Sequence, residues 1–243
     1  VHTSKGNGGL FLPKVQVVMP SFNRPNIVQQ AIKSVQNQTL KDFRLYIMDN
    51  SSEQHWDRMN KVYMEFAKDD SRIVIDHTEA VDSLRLKHHY VCIVTNKALF
   101  ELHQHEPYVV MTCDDIVMLP QKLEILSSFL DKHGEYDIAS GILEITDDRG
   151  KAIQRLGGFS LSCAANMLDW CQPMYRRTLI EVVGKLAEHT VANADADYFE
   201  RIAKVTEKVF GIPVVLDHAN VRFRGTRGSK QLLDRMLKGE LME

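Results

Sequence analysis

Asp114 and Asp115 are adjacent carboxylates that leave a run of strand-forming residues, Tyr108-Val109-Val110-Met111, and are followed by apolar residues, Pro120 and an amphipathic segment. Side by side at the exit of a buried strand, two such groups repel, and something must balance them. A divalent cation that prefers hard oxygen ligands, magnesium or manganese, does so when a diphosphate completes its shell. The same residues also read as an acidic turn that caps the next helix. A second pair, Asp195 and Asp197 in Asn193-Ala194-Asp195-Ala196-Asp197-Tyr198-Phe199, opens a predicted helix. On residue type alone, one of them reads simply as an N-cap. Arg85, Lys87, His88 and His89 form a basic group that reads as a solvated face well placed for a diphosphate. His103 and His105, two apart, point away from each other on a helix and read as surface residues.

The chain that carries these groups has 243 residues, 44% apolar and 26% charged, enough for one large domain or two small ones with a sizeable core. A formal net charge of −2 argues for neither nucleic acid nor a membrane surface as partner, and neither is expected. Cys92, Cys113, Cys163 and Cys171 show no Cys-x-x-Cys pair and no zinc spacing, so free thiols in a reducing cytosol, mostly core fillers, are expected. No apolar stretch approaches the roughly 20 residues that span a bilayer, and a cytoplasmic location follows as an expectation. Residues 1–13 read as a disordered or expression-derived lead, or as the cut edge of a longer protein.

Hydrophobic periodicity supplies the scaffold. Lys14 to Met19 predicts a first strand, Pro20 to Pro25 a loop, and Asn26 a cap for a helix carrying Ile27, Ala31, Val35 and Val28, Ile32 at helical spacing. A second strand spans Arg44 to Met48 and exits through Asp49-Asn50-Ser51-Ser52. A helix over Trp56–Lys68, a strand over Arg72–Asp76 and one or two helices over Asp82–Leu102 come next. This order begins a parallel α/β sheet, whose ligands bind outside the carboxyl ends of the strands. The loops Pro20–Pro25, Asp49–Ser52 and Thr112–Asp115 therefore share one edge. Beyond them the pattern predicts a helix closed by His133-Gly134, a strand over Tyr136–Ile145 and a hairpin turn at Asp147–Gly150. An irregular stretch over Gly157–Met174, helices over Thr178–Leu186 and from Asn193 to Val205, and a strand over Ile212–Leu216 complete it.

Three ordered runs carry a resemblance: Val-Val-Met-Pro-Ser-Phe-Asn-Arg-Pro, Ala-Ile-Lys-Ser-Val-Gln-Asn-Gln-Thr and Phe-Arg-Leu-Tyr-Ile-Met-Asp-Asn-Ser. They resemble the opening of family 2 glycosyltransferases of the GT-A fold, and within that family the spore-coat polysaccharide type. The resemblance implies a single α/β domain over residues 14–243 with a mainly parallel sheet flanked by helices. About 14–120 would be a Rossmann-like nucleotide-binding half and about 121–243 an acceptor-side half. It implies inverting transfer from a UDP- or dTDP-sugar to a hydroxyl of a carbohydrate or other acceptor, assisted by Mn²⁺ or Mg²⁺.

Residue by residue, the resemblance sets Pro20, Phe22 and Arg24 along the base and ribose, with Phe22 stacked on the base. Asp49 or Asn50 would read the base edge, Arg85 would meet the diphosphate or base, and Asp114 and Asp115 would be the metal pair. Asp195 would be the general base, with Asp197 as its fallback. The chain has Asn50 and Thr112 where relatives often have Asp, and Thr226 where many have a metal-ligating histidine. The tail residues Arg222, Arg224, Arg227 and Lys230 could fold over a diphosphate. A sugar nucleotidyltransferase and a non-catalytic nucleotide- or sugar-binding module are the alternatives. The first usually carries a glycine-rich loop after the first strand, and Pro20–Pro25 has no glycine.

Overall fold

The computed structural model describes residues 13–79, 90–102, 105–157, 169–189 and 194–220. β1 (Val15–Ser21), rich in valine, is buried along its whole length, as a strand is in a sheet covered on both faces. β2 (Phe43–Asp49), β3 (Ile73–His77) and β4 (Tyr108–Met111) join it in parallel, in the order β3-β2-β1-β4. Ser21 pairs with Asp49 and Val18 with Met111, so the carboxyl ends of β1, β2 and β4 reach one edge together. α1 (Val28–Gln36) and α2 (Glu53–Ala67) make the first two crossovers. Asn26 does not cap α1: the helix opens at Ile27 without a side-chain cap, because the Arg24 carbonyl already accepts the N–H groups of Ile27 and Val28.

α3 (Tyr90–Lys97) runs into a π-helical turn at Ala98–Leu102. A widened turn frees carbonyls, and here two of them find buried partners. Gln16 Nε2 donates to Ala98 O at 2.7 Å, and Arg177 Nη1 donates to Leu99 O at 2.9 Å. Arg85 with its basic neighbours, and His103, lie outside the described residues.

The second half is mixed. β5 (Ile116–Met118) leaves the acidic pair, and α4 (Lys122–Lys132) ends at His133 as predicted. β6 (Ile138–Thr146) turns back on β7 (Ala152–Leu156) through the expected hairpin. There Gly150 takes φ +77°, and Asp147 Oδ1 accepts the N–H groups of Arg149 and Lys151. β8 (Pro173–Arg176) wedges antiparallel between β4 and β6, and β9 (Val209–Asn220) runs parallel to β6 and antiparallel to β5. The irregular stretch predicted to reach Met174 thus ends in a central strand. Four residues are too few to show a period, and Pro173 is tolerated as the first of them. β9 is longer than the Ile212–Leu216 strand read from its apolar residues. α5 (Arg177–Val183) and α6 (Ala194–Ala203) pack on one face of the sheet.

Alternation divides the core. Val17, Leu45 and Val110 face α1, α2 and α4, while their neighbours Val18, Tyr46 and Val109 face α3, α5 and α6. An ion pair is sealed inside: Lys122 and Asp217 are both 0% exposed, with Nζ 2.7 Å from Oδ1. Lys122 Nζ also donates to Cys171 O at 2.6 Å. Burial pushes the Asp217 carboxyl up to about 6, with Lys122 pulling it back down.

Candidate functional site

At the carboxyl edge the loop after β1 bends sharply, with Asn23 at φ +51°, a conformation asparagine tolerates better than most residues. Its backbone is pinned from the neighbouring loop. Ser51 Oγ accepts the Asn23 N–H at 3.0 Å and itself donates to Asp49 Oδ2 at 2.9 Å. Asp49 is fully enclosed, and also accepts the Ser51 N–H at 2.9 Å and the Tyr63 hydroxyl at 2.6 Å. Burial first, and then the Asp49 charge, raise the Tyr63 hydroxyl above its usual range. Asp49 therefore anchors the turn that steadies Phe22 and Arg24. The structure holds it inside that turn, and Asn50 beside it is also buried.

Asp114 is the centre of the arrangement. Its Oδ2 accepts the Ser21 hydroxyl at 3.1 Å and the Phe22 N–H at 3.2 Å, and its Oδ1 accepts Arg24 Nη1 at 3.1 Å. The same Nη1 reaches Asp115 Oδ2 at 3.1 Å. One guanidinium, 90 residues upstream, thus balances the repulsion between the paired carboxylates. Burial raises the Asp114 carboxyl to about 6, Arg24 opposing and Asp115 reinforcing the rise. For Arg24 burial works against the charged form, and the two carboxylates outweigh it, leaving the guanidinium above its usual value. The helix-cap reading of the pair fails, since β5 intervenes. The N-terminus of α4 is served from elsewhere, the Leu123 N–H donating to Gln38 Oε1 at 3.0 Å.

A cavity of about 370 Å³ opens against this pair. Pro20, Phe22, Arg24, Asp114 and Asp115 line it from the first half, and Asp195 from the start of α6. Asp197 is turned aside and tied to Arg201 Nε at 3.0 Å. The structure thus brings Asp195 to the acidic pair and leaves Asp49 and Asn50 behind the wall, while Arg85 lies outside the described residues. Sequence reasoning passed over Cys113, Asp169, Trp170 and Cys171, which complete the wall. The sole signal was a tryptophan next to a carboxylate in a stretch otherwise rich in small residues. A second cavity, about 390 Å³, touches Asp114 and Asp115 from the α1 side and is bordered by Gln30, His218 and Asn220.

The donor set suits a hard divalent cation in part. Asp115 uses only Oδ2 in its pairing with Arg24, and both carboxylates border open space that a phosphate could share. No third carboxylate, histidine or cysteine completes a cluster among the described residues. Most of such an ion's shell would then come from ligand and water.

Replacing Arg24 by Met removes the charge that opposes protonation of Asp114, which should then titrate above about 6. A carboxyl with a raised pKa contributes its full stability below the unfolded value, about 3.9, and loses it as pH rises through the folded one. Melting temperature should therefore fall more steeply for Arg24→Met than for the parent between about pH 4 and 7. Parallel melting curves across that range would remove Arg24 from the role of balancing charge.

The family model described as "Glycosyl transferase family 2" matches residues 16–184. The chain is 40% identical over 62 residues to the GalNAc(5)-diNAcBac-PP-undecaprenol beta-1,3-glucosyltransferase of Campylobacter jejuni, covering 26% of this chain and 19% of that protein. To Protein CgeD of Bacillus subtilis it is 28% identical over 175 residues, 70% of this chain and 40% of that one. The chain spans less than half the length of each. Among solved structures, S. aureus TarS 1-349 in complex with UDP-GlcNAc matches with a TM-score of 0.65 at 13% identity, over 89% of this chain and 60% of that chain. That likeness is one of fold.

Proposed function

The chain belongs to glycosyl transferase family 2, and on that premise we propose that it is an inverting glycosyltransferase moving a sugar from a UDP- or dTDP-sugar to the hydroxyl of a carbohydrate or other acceptor. The observation that carries this reading is the shared cavity, in which Phe22, Arg24, the Asp114–Asp115 pair and Asp195 meet although 173 positions separate the first from the last.

In this reading Phe22 stacks on the base and Pro20 closes the wall beside it. Arg24 exchanges its carboxylate partners for the diphosphate, whose geometry a guanidinium matches. Asp49 acts through Ser51, holding the loop in place, with Asn50 buried beside it. Asp195 accepts the proton of the acceptor hydroxyl as that oxygen bonds to the anomeric carbon. The bond from that carbon to the diphosphate oxygen breaks on the opposite face, and the nucleoside diphosphate leaves with the electron pair. No protein nucleophile is needed. Asp114 and Asp115 would hold magnesium or manganese, which when bound supplies charge compensation for the departing diphosphate.

The S. aureus TarS 1-349 complexes with UDP-GlcNAc and with UDP support uridine as the first nucleoside to try. The test is thermal denaturation of the full chain with UDP, dTDP, ADP and GDP, each with and without manganese. UDP or dTDP at a hundred times its dissociation constant should raise the melting temperature by about 5–10 °C, and more with manganese than without. Indifference to every nucleoside diphosphate would overturn the reading. A shift without turnover on any sugar nucleotide would make the chain a binding module.

A further inference from the structure

Behind the acidic pair, two loops distant in sequence bring their cysteines together. Cys113 directly precedes Asp114, Cys171 directly follows Trp170, and their sulfurs lie 3.1 Å apart across 58 positions of chain. Both residues border the cavity, but Cys171 is buried at 1% exposure whereas Cys113 is only half-buried. Both surroundings are fixed. The Cys171 N–H donates to Asp169 Oδ1 at 3.0 Å, and the Cys171 carbonyl accepts Lys122 Nζ at 2.6 Å. Trp170 Nε1 points its hydrogen at Cys113 Sγ from 3.3 Å. A disulfide needs the two sulfurs at about 2.0 Å, so about 1 Å of approach, within reach of a small χ1 adjustment, separates the two states.

We propose that Cys113 and Cys171 form a redox-active dithiol, a modification site at which a hydroperoxide cross-links the Asp114–Asp115 loop to the Asp169–Trp170 loop. Its components differ in access, which orders the steps. The Cys113 sulfur faces the cavity and attacks one oxygen of the peroxide. The O–O bond breaks, Cys113 becomes a sulfenic acid, and one water (or an alcohol, from an organic peroxide) departs. Cys171, too enclosed to meet the oxidant itself, then displaces the hydroxyl from the Cys113 sulfur. The S–S bond forms and the Cys171 proton leaves with that hydroxyl as a second water. Two thiols lose two electrons in all, and the peroxide gains them. The link would draw two walls of the cavity together and take the Cys113 sulfur away from the Trp170 indole. Cys92, buried in a separate cluster with Val94 and Leu99, has no part in it.

The experiment is brief exposure of the full native chain to hydrogen peroxide, alkylation of the remaining thiols, and peptide mapping by mass spectrometry. The expected product is one linked pair joining the peptides of Cys113 and Cys171, with Cys92 and Cys163 alkylated and the link reversed by dithiothreitol. In Cys171→Ser, Cys113 should stop at the sulfenic acid and be captured by dimedone. In Cys113→Ser, Cys171 should resist peroxide; that substitution is at a half-buried position and serves if the first variant fails to fold. A linked pair involving Cys92 or Cys163, or Cys113 passing to sulfinic acid while Cys171 stays free, would overturn the proposal. The peptide map reads the link whether or not the chain binds UDP, so its outcome is separate from that of the nucleotide screen.

Discussion

Asp195→Asn should lower sugar transfer by about 10²–10⁴-fold while UDP affinity stays within about twofold of the parent. The amide has the size of the carboxylate and can keep the short contact with the Ala196 N–H, which Asp195 Oδ1 accepts at 3.0 Å. It cannot take up a proton at neutral pH. The loss therefore belongs to the transfer step and not to donor binding, and it should appear in kcat with little change in donor KM. Asp197→Asn is the internal control. Its carboxylate is engaged by Arg201 one helical turn away, so a modest loss of stability with transfer largely kept is expected. UDP release measured under saturating donor, together with calorimetric UDP titration, distinguishes the two variants. If Asp197→Asn were the inactive one and Asp195→Asn turned over normally, the base would be Asp197 and the register of α6 in the cavity would need revision.

The second large effect concerns stability. Lys122→Met should destabilise the fold by about 3–5 kcal/mol, because it leaves Asp217 as a fully buried carboxylate without its cation. It also removes the donor to the Cys171 carbonyl. For a chain of this size that corresponds to a fall of roughly 6–20 °C in melting temperature. The loss has a definite pH dependence. Asp217 already titrates at about 6 with Lys122 beside it, and without Lys122 it should titrate higher. Its protonated form is the one the interior accepts, so the variant should be least impaired near pH 5 and most impaired above pH 8. Adding Asp217→Leu to Lys122→Met should restore much of the stability, since a packed apolar pair can replace a buried ion pair at little cost. A single variant that melts like the parent at pH 8 would contradict this account of the core.

Local pattern carried the reading of the first half well. Two strands, their helices and three polar loops on one edge are short-range features, each visible in a window of ten residues. The hairpin at Asp147–Gly150 was equally visible, because turn chemistry is local. Pro173–Arg176 was not, since a four-residue strand between two partners owes its form to those partners and not to its own period. The three residues of β5 are shorter still. In the site, Asp195 lines the same cavity as the acidic pair, a juxtaposition that spacing alone could not have indicated. Two adjacent carboxylates suggested a balancing cation, and composition could not show that Arg24 supplies one such charge from within the chain. The enclosure of Asp49 by Ser51 and Tyr63 was likewise invisible, because a residue type does not say which way its loop turns.

The order of strands has a consequence for biosynthesis. β5, which directly follows the acidic pair, finds its strand partner among the described residues only in β9, whose middle lies about a hundred positions further on. While a ribosome is still making residues 209–220, the parallel half can assemble behind it, yet the segment bearing Asp114 and Asp115 has no ladder to lock into. Long-range pairings of this kind form late and slowly. A nascent chain still lacking residues 209–220 would then present a half-built pocket edge, so this wall of the cavity matures only once β9, the last strand among the described residues, has paired with β5.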